Sequence, residues 1–202
     1  MYPHDNISGL ILAGGRAQRM GGEDKGLVLL NDQAMIEYVL ASLAPQVQSV
    51  AINANRSVEQ YQAYGHPVIR DELSDFQGPL AGFASGLKQC STDYMVTAPC
   101  DGPLLCNDYV QRLHQSAVAQ GAQISVASDG KRLQPVYALL HQSLLPSLLD
   151  FLARGDRKID LWYQQEHYCT ADFSDTTEIF TNINTPEELE LASTTIQPPN
   201  YD

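Results

Sequence analysis

The chain has 202 residues, 44% of them hydrophobic, and a formal net charge of −12 at pH 7. Its length and apolar content predict one globular domain over residues 1–202, with enough chain to bury a substantial core. The negative charge argues against nucleic acid and anionic membranes as partners, because both would repel the protein. The N-terminus lacks the basic and apolar regions of a signal peptide, so we expect a cytoplasmic protein.

Strands and helices alternate along the chain. In chain order, apolar periodicity and start signals predict a strand Ile7–Leu12, a helix Ala34–Leu43, a strand Val47–Asn53, a helix Ser57–Tyr64, a strand Val68–Arg70, a helix Pro79–Lys88, a strand Tyr94–Ala98, a helix Asp108–Ala119, two strands Ile124–Ser128 and Leu133–Leu140, two helices Leu144–Leu152 and Ile159–Tyr163, a strand His167–Ala171 and a helix Pro186–Ser193. This alternation predicts an α/β fold, with a mostly parallel sheet and helices on both faces.

Two local signals refine that prediction. Pro135 lacks a backbone donor, so its strand is expected either to lie at a sheet edge or to contain a bulge there. The tail from about Thr195 onwards, which contains two consecutive prolines, is expected to be frayed. The four cysteines have neither a C-x-x-C pair nor zinc spacing with histidine, which predicts free thiols.

A glycine-rich loop follows the first strand. The chain reads LAGGRAQRMGGEDK over residues 12–25. Glycines let backbone N–H groups approach an anion closely, and Arg16, Arg19 and Lys25 add full positive charges. The pattern is neither a Walker loop, which needs Gly-Lys-Ser/Thr, nor a G-x-G-x-x-G dinucleotide fingerprint. The sequence therefore predicts a polyphosphate site, and the alternative is a surface loop with incidental charges.

Polar residues end several of the predicted parallel strands. Asn53, Asp71 and Asp101 each come at or just after a strand end, and the glycine-rich loop with Lys25 follows another. Ligands of open parallel sheets bind outside the carboxyl ends of the strands, so we expect these residues to share one site. Asp101 is suited to hold Mg²⁺ through one carboxylate plus phosphate oxygens. The alternative roles are turn formation, or capping of a helix in the case of Asp101.

Two further segments have both a functional and a structural interpretation. Gly82 lies inside a predicted helix, where glycine costs about 1 kcal/mol relative to alanine, so a helix or a ligand must pass close to it. Asn182 and Asn184 alternate in an extended stretch and point to the same side of it. The residues around Asn184 also form an ordinary helix start, and capping is the simpler interpretation.

The assembled motifs resemble those of the molybdenum cofactor guanylyltransferases, the MobA family of nucleotidyltransferases. The resemblance runs from about Ile7 to about Leu191 and includes the opening loop, GPLAG at 78–82, PCD at 99–101, QPVYAL at 134–139 and NINTP at 182–186. It implies a single Rossmann-like nucleotidyltransferase domain with a mixed, mostly parallel sheet. The chief departure from the pattern is Gly102, which follows Asp101 where a larger apolar residue is usual and is expected to affect the rigidity of this loop but not the chemistry.

The resemblance also implies a GTP site at the carboxyl ends of the predicted parallel strands in the first half of the chain. The residues implied to bind GTP are Leu12, Ala13, Gly14, Gly15, Lys25, Asn53, Asp71 and Asp101. Leu12–Gly14 would hold guanine and ribose, and Gly15 would lie against the phosphates. Lys25, Arg19 and Asp101 are implied to be catalytic, the two cations through phosphate oxygens and Asp101 through Mg²⁺.

An acceptor site and a reaction follow from the same resemblance. The residues implied to bind the acceptor, molybdenum-loaded molybdopterin, are Gly78, Gly82, Asn182 and Asn184. The pterin's terminal phosphate would attack the α-phosphorus of GTP in line, giving molybdopterin guanine dinucleotide and pyrophosphate. Transient contacts with molybdopterin-loading proteins and with target molybdoenzymes are expected.

Two other functions fit the same motifs. One is a related transferase that uses CTP or attaches a nucleotide to a sugar phosphate. The other is a non-catalytic protein that binds nucleotide and carries the pterin cofactor to its enzymes. A nucleotide panel separates the first from the guanylyltransferase, and binding without pyrophosphate release would indicate the second.

Overall fold

The computed structural model describes residues 4–14, 24–72 and 78–198. Its strands are β1 Ile7–Leu12, β2 Leu29–Leu30, β3 Gln33–Ala34, β4 Ser49–Asn53, β5 Val68–Ile69, β6 Tyr94–Pro99, β7 Ile124–Ser128, β8 Leu133–His141 and β9 Tyr168–Asp172. Its α-helices are α1 Met35–Leu43, α2 Val58–Gln62, α3 Pro79–Gln89, α4 Tyr109–Gln120, α5 Leu145–Ala153, α6 Ile159–Tyr163 and α7 Pro186–Thr195. Within those ranges, no helix is long and apolar enough to cross a membrane.

Seven of the strands form one mixed sheet in the order β5-β4-β1-β6-β8-β7-β9. β1 pairs in parallel with β4 and β6, β4 with β5, and β7 with β9. β8 runs antiparallel to both β6 and β7. The predicted α/β architecture with a mostly parallel sheet is confirmed. This topology places the carboxyl ends of the parallel strands, together with the start of β8, at one edge of the sheet.

Helices cover both faces of the sheet, as predicted. Ile7 and Ile11 of β1 pack with apolar side chains of α1 and α4 on one face. Leu10, which alternates with them, packs on the opposite face with side chains of α3, α5 and α6. Because successive side chains of a strand point to opposite faces, a single apolar strand supports both layers.

For the strand of Pro135, the sequence predicted either an edge position or a bulge, and the structure shows the bulge. β8 lies between β6 and β7, so Pro135 is not on an edge strand. The bulge is confirmed: Val126 of β7 pairs with Ala138, whereas the next residue, Ala127, pairs with Gln134. Residues 135–137 are therefore looped out of the ladder, which is where a residue without a backbone N–H is tolerated.

A third, smaller apolar cluster joins the β2–β3 hairpin to the C-terminal helix. Leu30 and Tyr38 pack there with Ile183 and Ala192. Ile196 belongs to the same cluster, only 7% exposed, and its carbonyl accepts a hydrogen bond from the Asn31 side chain at 2.8 Å. Packing thus continues past Thr195, further than the predicted start of a frayed tail.

Candidate active site

A cavity of about 380 Å³ opens at the carboxyl edge of the sheet. Its lining comes from the ends of β1, β4 and β6, the start of α3, the bulge of β8 and the segment before α7. The lining residues are Leu12, Gly14, Asn53, Asp71, Gly78, Pro79, Pro99, Asp101, Val136 and Asn182. Parallel strands bring their carboxyl ends together, and this is why residues far apart in the sequence meet here.

One wall of the cavity is a hydrogen-bonded network around Asp71. Asn53 donates its side-chain amide to Asp71 Oδ1 at 2.8 Å and to the Ile69 carbonyl at 3.2 Å. Asn55 donates to Asp71 Oδ2 at 2.7 Å and accepts from the Asp71 backbone N–H at 2.9 Å. Both carboxylate oxygens of Asp71 are therefore held in place by amide groups at the cavity wall.

Two glycines allow that network to pack closely. A Cβ added to Gly14 would lie 3.2 Å from Asn53 Oδ1 and 3.3 Å from Asn55 Nδ2. A Cβ added to Gly82 would lie 2.5 Å from Asn53 Oδ1 and 2.8 Å from Leu12 Cδ2. Gly82 is buried beneath Asn53, so its neighbour is this side chain and not a second helix. Its predicted contact with the acceptor stays a prediction.

Lys25 occupies the centre of a second polar group. Its Nζ lies 3.0 Å from Asp101 Oδ2, and their side chains are 25% and 14% exposed. The same ammonium donates a hydrogen bond to Asn184 Oδ1. Asn184 in turn donates to the Asn182 carbonyl at 3.0 Å, and the Ile183 N–H donates to the Asp101 carbonyl at 3.0 Å. These contacts join the predicted phosphate, metal and acceptor residues into one cluster.

The backbone on both sides of Lys25 is firmly packed. Asp24 is only 8% exposed, and its carboxylate lies beside the buried hydroxyl of Tyr61. A Cβ on Gly26 would lie 2.7 Å from that hydroxyl and 3.1 Å from Cys100 Cβ. Burial, together with the nearby Cys100 and Asp24, raises the pKa of Tyr61 well above its ordinary value. Closely packed side chains therefore support the backbone around Lys25, while its ammonium reaches Asp101 at the cavity wall.

Asn184 takes part in the start of α7 through its backbone, whose N–H donates to the Glu188 carboxylate at 2.6 Å. Thr185 caps α7: its hydroxyl accepts from the Glu188 N–H at 3.2 Å, and the Glu188 carboxylate accepts from the Thr185 N–H at 3.1 Å. Thr185 is thus the N-cap of α7, and the Asn184 side chain is left to contact Lys25. Asp101 likewise does not cap a helix, since α4 begins after Asp108.

The remaining predicted residues are placed as follows. Ala13 is buried and donates its N–H to the Asn53 carbonyl at 2.8 Å. Gly78 precedes α3 with a φ of +76°, a conformation that L side chains rarely adopt. Gly15 and Arg19 lie outside the described residues, as does Arg16.

Sequence reasoning missed three residues in or next to this cavity. Asn55 follows Asn53 by two positions at a strand end, and this spacing was a usable signal for its contact with Asp71. Val136, which lines the cavity, and Tyr137, which lies behind its wall, belong to the bulge of β8 between Gln134 and Ala138, and sequence periodicity does not reveal the bulge's geometry. Tyr137 donates its hydroxyl to Asn182 Oδ1 at 2.9 Å.

The fold is that of the nucleotidyltransferases. A solved structure of molybdopterin-guanine dinucleotide biosynthesis protein A from Archaeoglobus fulgidus superimposes with a TM-score of 0.79, at 22% identity, over 93% of this chain and 97% of that one. The two chains thus share one overall fold along nearly their whole length.

Sequence comparison narrows the class to a family. The model of the MobA-like NTP transferase domain matches residues 9–168, and the chain belongs to this family. The molybdenum cofactor guanylyltransferase of Shewanella loihica is 48% identical over 190 residues, 94% of this chain and 97% of the relative. The enzyme of the same name from Vibrio cholerae is 50% identical over 94% of this chain and 92% of its own length.

Proposed function

We propose that this nucleotidyltransferase transfers GMP from GTP to molybdenum-loaded molybdopterin. The observation that carries the proposal is the cavity itself: the Asp71 network and the Lys25–Asp101–Asn184 cluster are both built at one strand edge of a chain that is 48–50% identical to named guanylyltransferases. The products are molybdopterin guanine dinucleotide and pyrophosphate.

The Asp71 side of the cavity is suited to the nucleoside. Its polar atoms are fixed by one another, so they present donors and acceptors in a single arrangement. A site built this way rejects a base of the wrong pattern, because each buried group left unpaired costs about 1–3 kcal/mol. Gly14 lies against the same network and allows a planar ligand to approach the backbone closely.

The Lys25 side is suited to the phosphates and to a divalent cation. Asp101 Oδ1 has no hydrogen-bond partner among the described residues, and the described chain offers no cluster of three or more His, Cys, Asp or Glu for a metal. One free carboxylate oxygen beside a phosphate site matches Mg²⁺, which is commonly held by one or two carboxylates, phosphate oxygens and water. When bound, Mg²⁺ would neutralise charge on the phosphates during transfer.

The chemistry requires positioning more than proton transfer. An oxygen of the pterin's terminal phosphate forms a bond to the α-phosphorus of GTP, the bond from that phosphorus to the bridging oxygen breaks, and pyrophosphate leaves. The nucleophile is already ionised near neutral pH, so no general base is needed. Lys25, held by Asp101 and Asn184, keeps a positive charge beside the transferring group. Arg19, which lies outside the described residues, is proposed to assist it on the phosphates.

The proposal also has cellular consequences. The acceptor is a reactive cofactor, so we propose direct, transient handover from a molybdopterin-loading protein and to a molybdoenzyme. The reaction is placed in the cytoplasm, where GTP is made. Nucleic acid is not a proposed partner, because the net charge of −12 opposes it.

A nucleotide panel tests the proposal. Pyrophosphate release is measured with GTP, ATP and CTP in the presence of Mg²⁺ and molybdenum-loaded molybdopterin. Of the three nucleotides, we expect only GTP to give pyrophosphate release. The release should be lost in Lys25→Ala but kept in Lys88→Ala, because Lys88 pairs with Glu72 on the surface. Faster pyrophosphate release with CTP than with GTP would indicate a cytidylyltransferase. Tight binding of the pterin without any pyrophosphate release would indicate a carrier.

A further inference from the structure

Tyr137 lies behind the cavity wall and contacts the site through one atom. Its side chain is 1% exposed and packs edge-on against Tyr109 and Phe180. Its hydroxyl is 2.9 Å from Asn182 Oδ1, and no other hydrogen bond of this hydroxyl is found within residues 4–14, 24–72 and 78–198. Neither the sequence motifs nor the proposed chemistry gives this tyrosine a role.

The hydroxyl acts as a donor in this contact. Burial, together with the nearby Asp101 carboxylate, raises the pKa of Tyr137 well above its ordinary value, so the hydroxyl keeps its proton. A buried hydroxyl proton needs an acceptor, and the side-chain amide oxygen of Asn182, Oδ1, accepts it. The two ends of an asparagine amide are chemically different, one an acceptor and the other a donor of two hydrogens. Fixing the oxygen therefore fixes the direction of the amino group.

We infer that Tyr137 is a positioning residue that turns the amino group of Asn182 toward the bound acceptor. Asn182 lines the cavity, and its Nδ2 makes no hydrogen bond to the described residues. In this orientation it presents a donor, suited to a phosphate or carbonyl oxygen of the substrate. The inference rests on the proposed function for the identity of that substrate, but the orientation itself is a property of the protein.

Gly102 completes the arrangement. A Cβ at this position would lie 2.3 Å from the Tyr137 hydroxyl, whereas its next neighbours, Asn182 Oδ1 and Pro99 Cγ, would be 3.3 and 3.5 Å away. The space that a side chain at 102 would fill is occupied by the tyrosine hydroxyl. In this chain the glycine at 102 therefore leaves room for the Tyr137 hydroxyl, and the two residues are in close contact.

The test combines Tyr137→Phe with Gly102→Ala, and uses Tyr109→Phe as the control. Tyr109 belongs to the same aromatic cluster, but its hydroxyl donates to the Thr97 carbonyl at 2.6 Å. In pyrophosphate assays with GTP and molybdenum-loaded molybdopterin, Tyr137→Phe should raise the acceptor KM about three- to tenfold, as expected for loss of one oriented hydrogen bond, and leave the GTP KM unchanged. Tyr109→Phe should change neither KM.

Two further readouts do not depend on catalysis. Gly102→Ala should lower the melting temperature clearly in the Tyr137 background and much less in the Tyr137→Phe background, because the phenylalanine leaves room for the added Cβ. The side-chain NH₂ signals of Asn182 in ¹⁵N NMR spectra, assigned by their loss in Asn182→Asp, should shift in Tyr137→Phe and stay in place in Tyr109→Phe. If wild-type protein releases no pyrophosphate, the proposed function fails and these two readouts still decide the orientation.

Specific results would overturn the inference. Additive melting effects of Gly102→Ala and Tyr137→Phe would show that the two positions do not share space. Unchanged Asn182 signals in Tyr137→Phe would show that the tyrosine does not orient the amide. In an active enzyme, an acceptor KM equal to that of the wild type in Tyr137→Phe would show that the orientation has no effect on substrate binding.

Discussion

Gly82→Ala offers a sharp test of how the nucleotide wall is built. The added methyl group would begin 2.5 Å from Asn53 Oδ1 and 2.8 Å from Leu12 Cδ2, so Asn53 must move. One turn later in the same helix, a Cβ on Gly86 would lie 2.6 Å from Leu10 Cδ2 and 2.7 Å from Met95 Sδ, which is equally tight. Gly86→Ala is therefore a matched control that overpacks α3 without touching Asn53.

The magnitudes of the two effects can be estimated separately. Overpacking a well-packed core typically costs about 1–3 kcal/mol, and replacing a helical glycine by alanine returns about 1 kcal/mol. Both variants should therefore unfold a few degrees lower than the wild type. Gly82→Ala should in addition weaken the Asn53 hydrogen bond to the Asp71 carboxylate, 2.8 Å in the wild type. A hydrogen bond to a charged group contributes about 1.5–3 kcal/mol, which corresponds to a loss of about tenfold or more in GTP affinity if the network is needed for binding.

Isothermal titration with GTP, paired with thermal melts, checks this prediction. We expect a lower melting temperature in Gly82→Ala than in Gly86→Ala, because only the former weakens the Asn53–Asp71 hydrogen bond, and weaker GTP binding only in Gly82→Ala. Equal GTP affinities in both variants would refute the argument that Asn53 and Asp71 form the nucleotide wall. Normal GTP affinity with an acceptor KM raised only in Gly82→Ala would instead support the sequence-based placement of Gly82 in the acceptor site.

Three further predictions concern other parts of the molecule. Asp101→Asn should keep its melting temperature but lose most turnover, because an amide is a weaker Mg²⁺ ligand than a carboxylate; a titration of turnover against Mg²⁺ checks this, and near-normal turnover at low Mg²⁺ would contradict it. Thr185→Ala removes the α7 cap and should lower the free energy of unfolding, measured by urea titration, by about 0.5–2 kcal/mol. GTP affinity should stay the same, and unchanged stability would count against the cap. Iodoacetamide at pH 8 should label the half-buried Cys90 in the native protein and leave Cys100 unlabelled, because burial raises the pKa of the Cys100 thiol and keeps it protonated. Peptide mass spectrometry locates the label, and rapid labelling of Cys100 would contradict its burial.

The elements that the sequence predicted well are those with a strong, local apolar signal. The bounds of β1, β7 and α6 agree with the predictions to the residue. The β2–β3 hairpin was missed, because strands of two residues have almost no periodicity. Its turn did leave a trace: Asn31 and Asp32 have φ angles of +51° and +64°, a conformation that these two residue types tolerate better than most others.

The candidate site was predictable to the extent that strand ends define it. Asn53, Asp71 and Asp101 could be assigned to one edge because parallel strands align their carboxyl ends. The contacts between Tyr137, Gly102 and Asn182 could not, since they depend on a bulge and on side-chain packing between segments far apart in the chain. The role of Gly102 illustrates the limit: from the sequence it suggested a loosened loop, whereas in the fold it makes room for a buried hydroxyl.

The ion pair between Lys25 and Asp101 couples the two groups, so that a ligand that binds one of them also changes the surroundings of the other. The ammonium already has a carboxylate partner at 3.0 Å, and an anion that binds Lys25 must compete with this partner. A bare anion that captured Lys25 would leave the Asp101 carboxylate uncompensated in a partly buried position, at a cost that opposes binding. A phosphate chain that arrives with its own divalent cation compensates both partners at once. In a cell rich in inorganic phosphate, this exchange of partners would favour metal-bound nucleotides over simple anions.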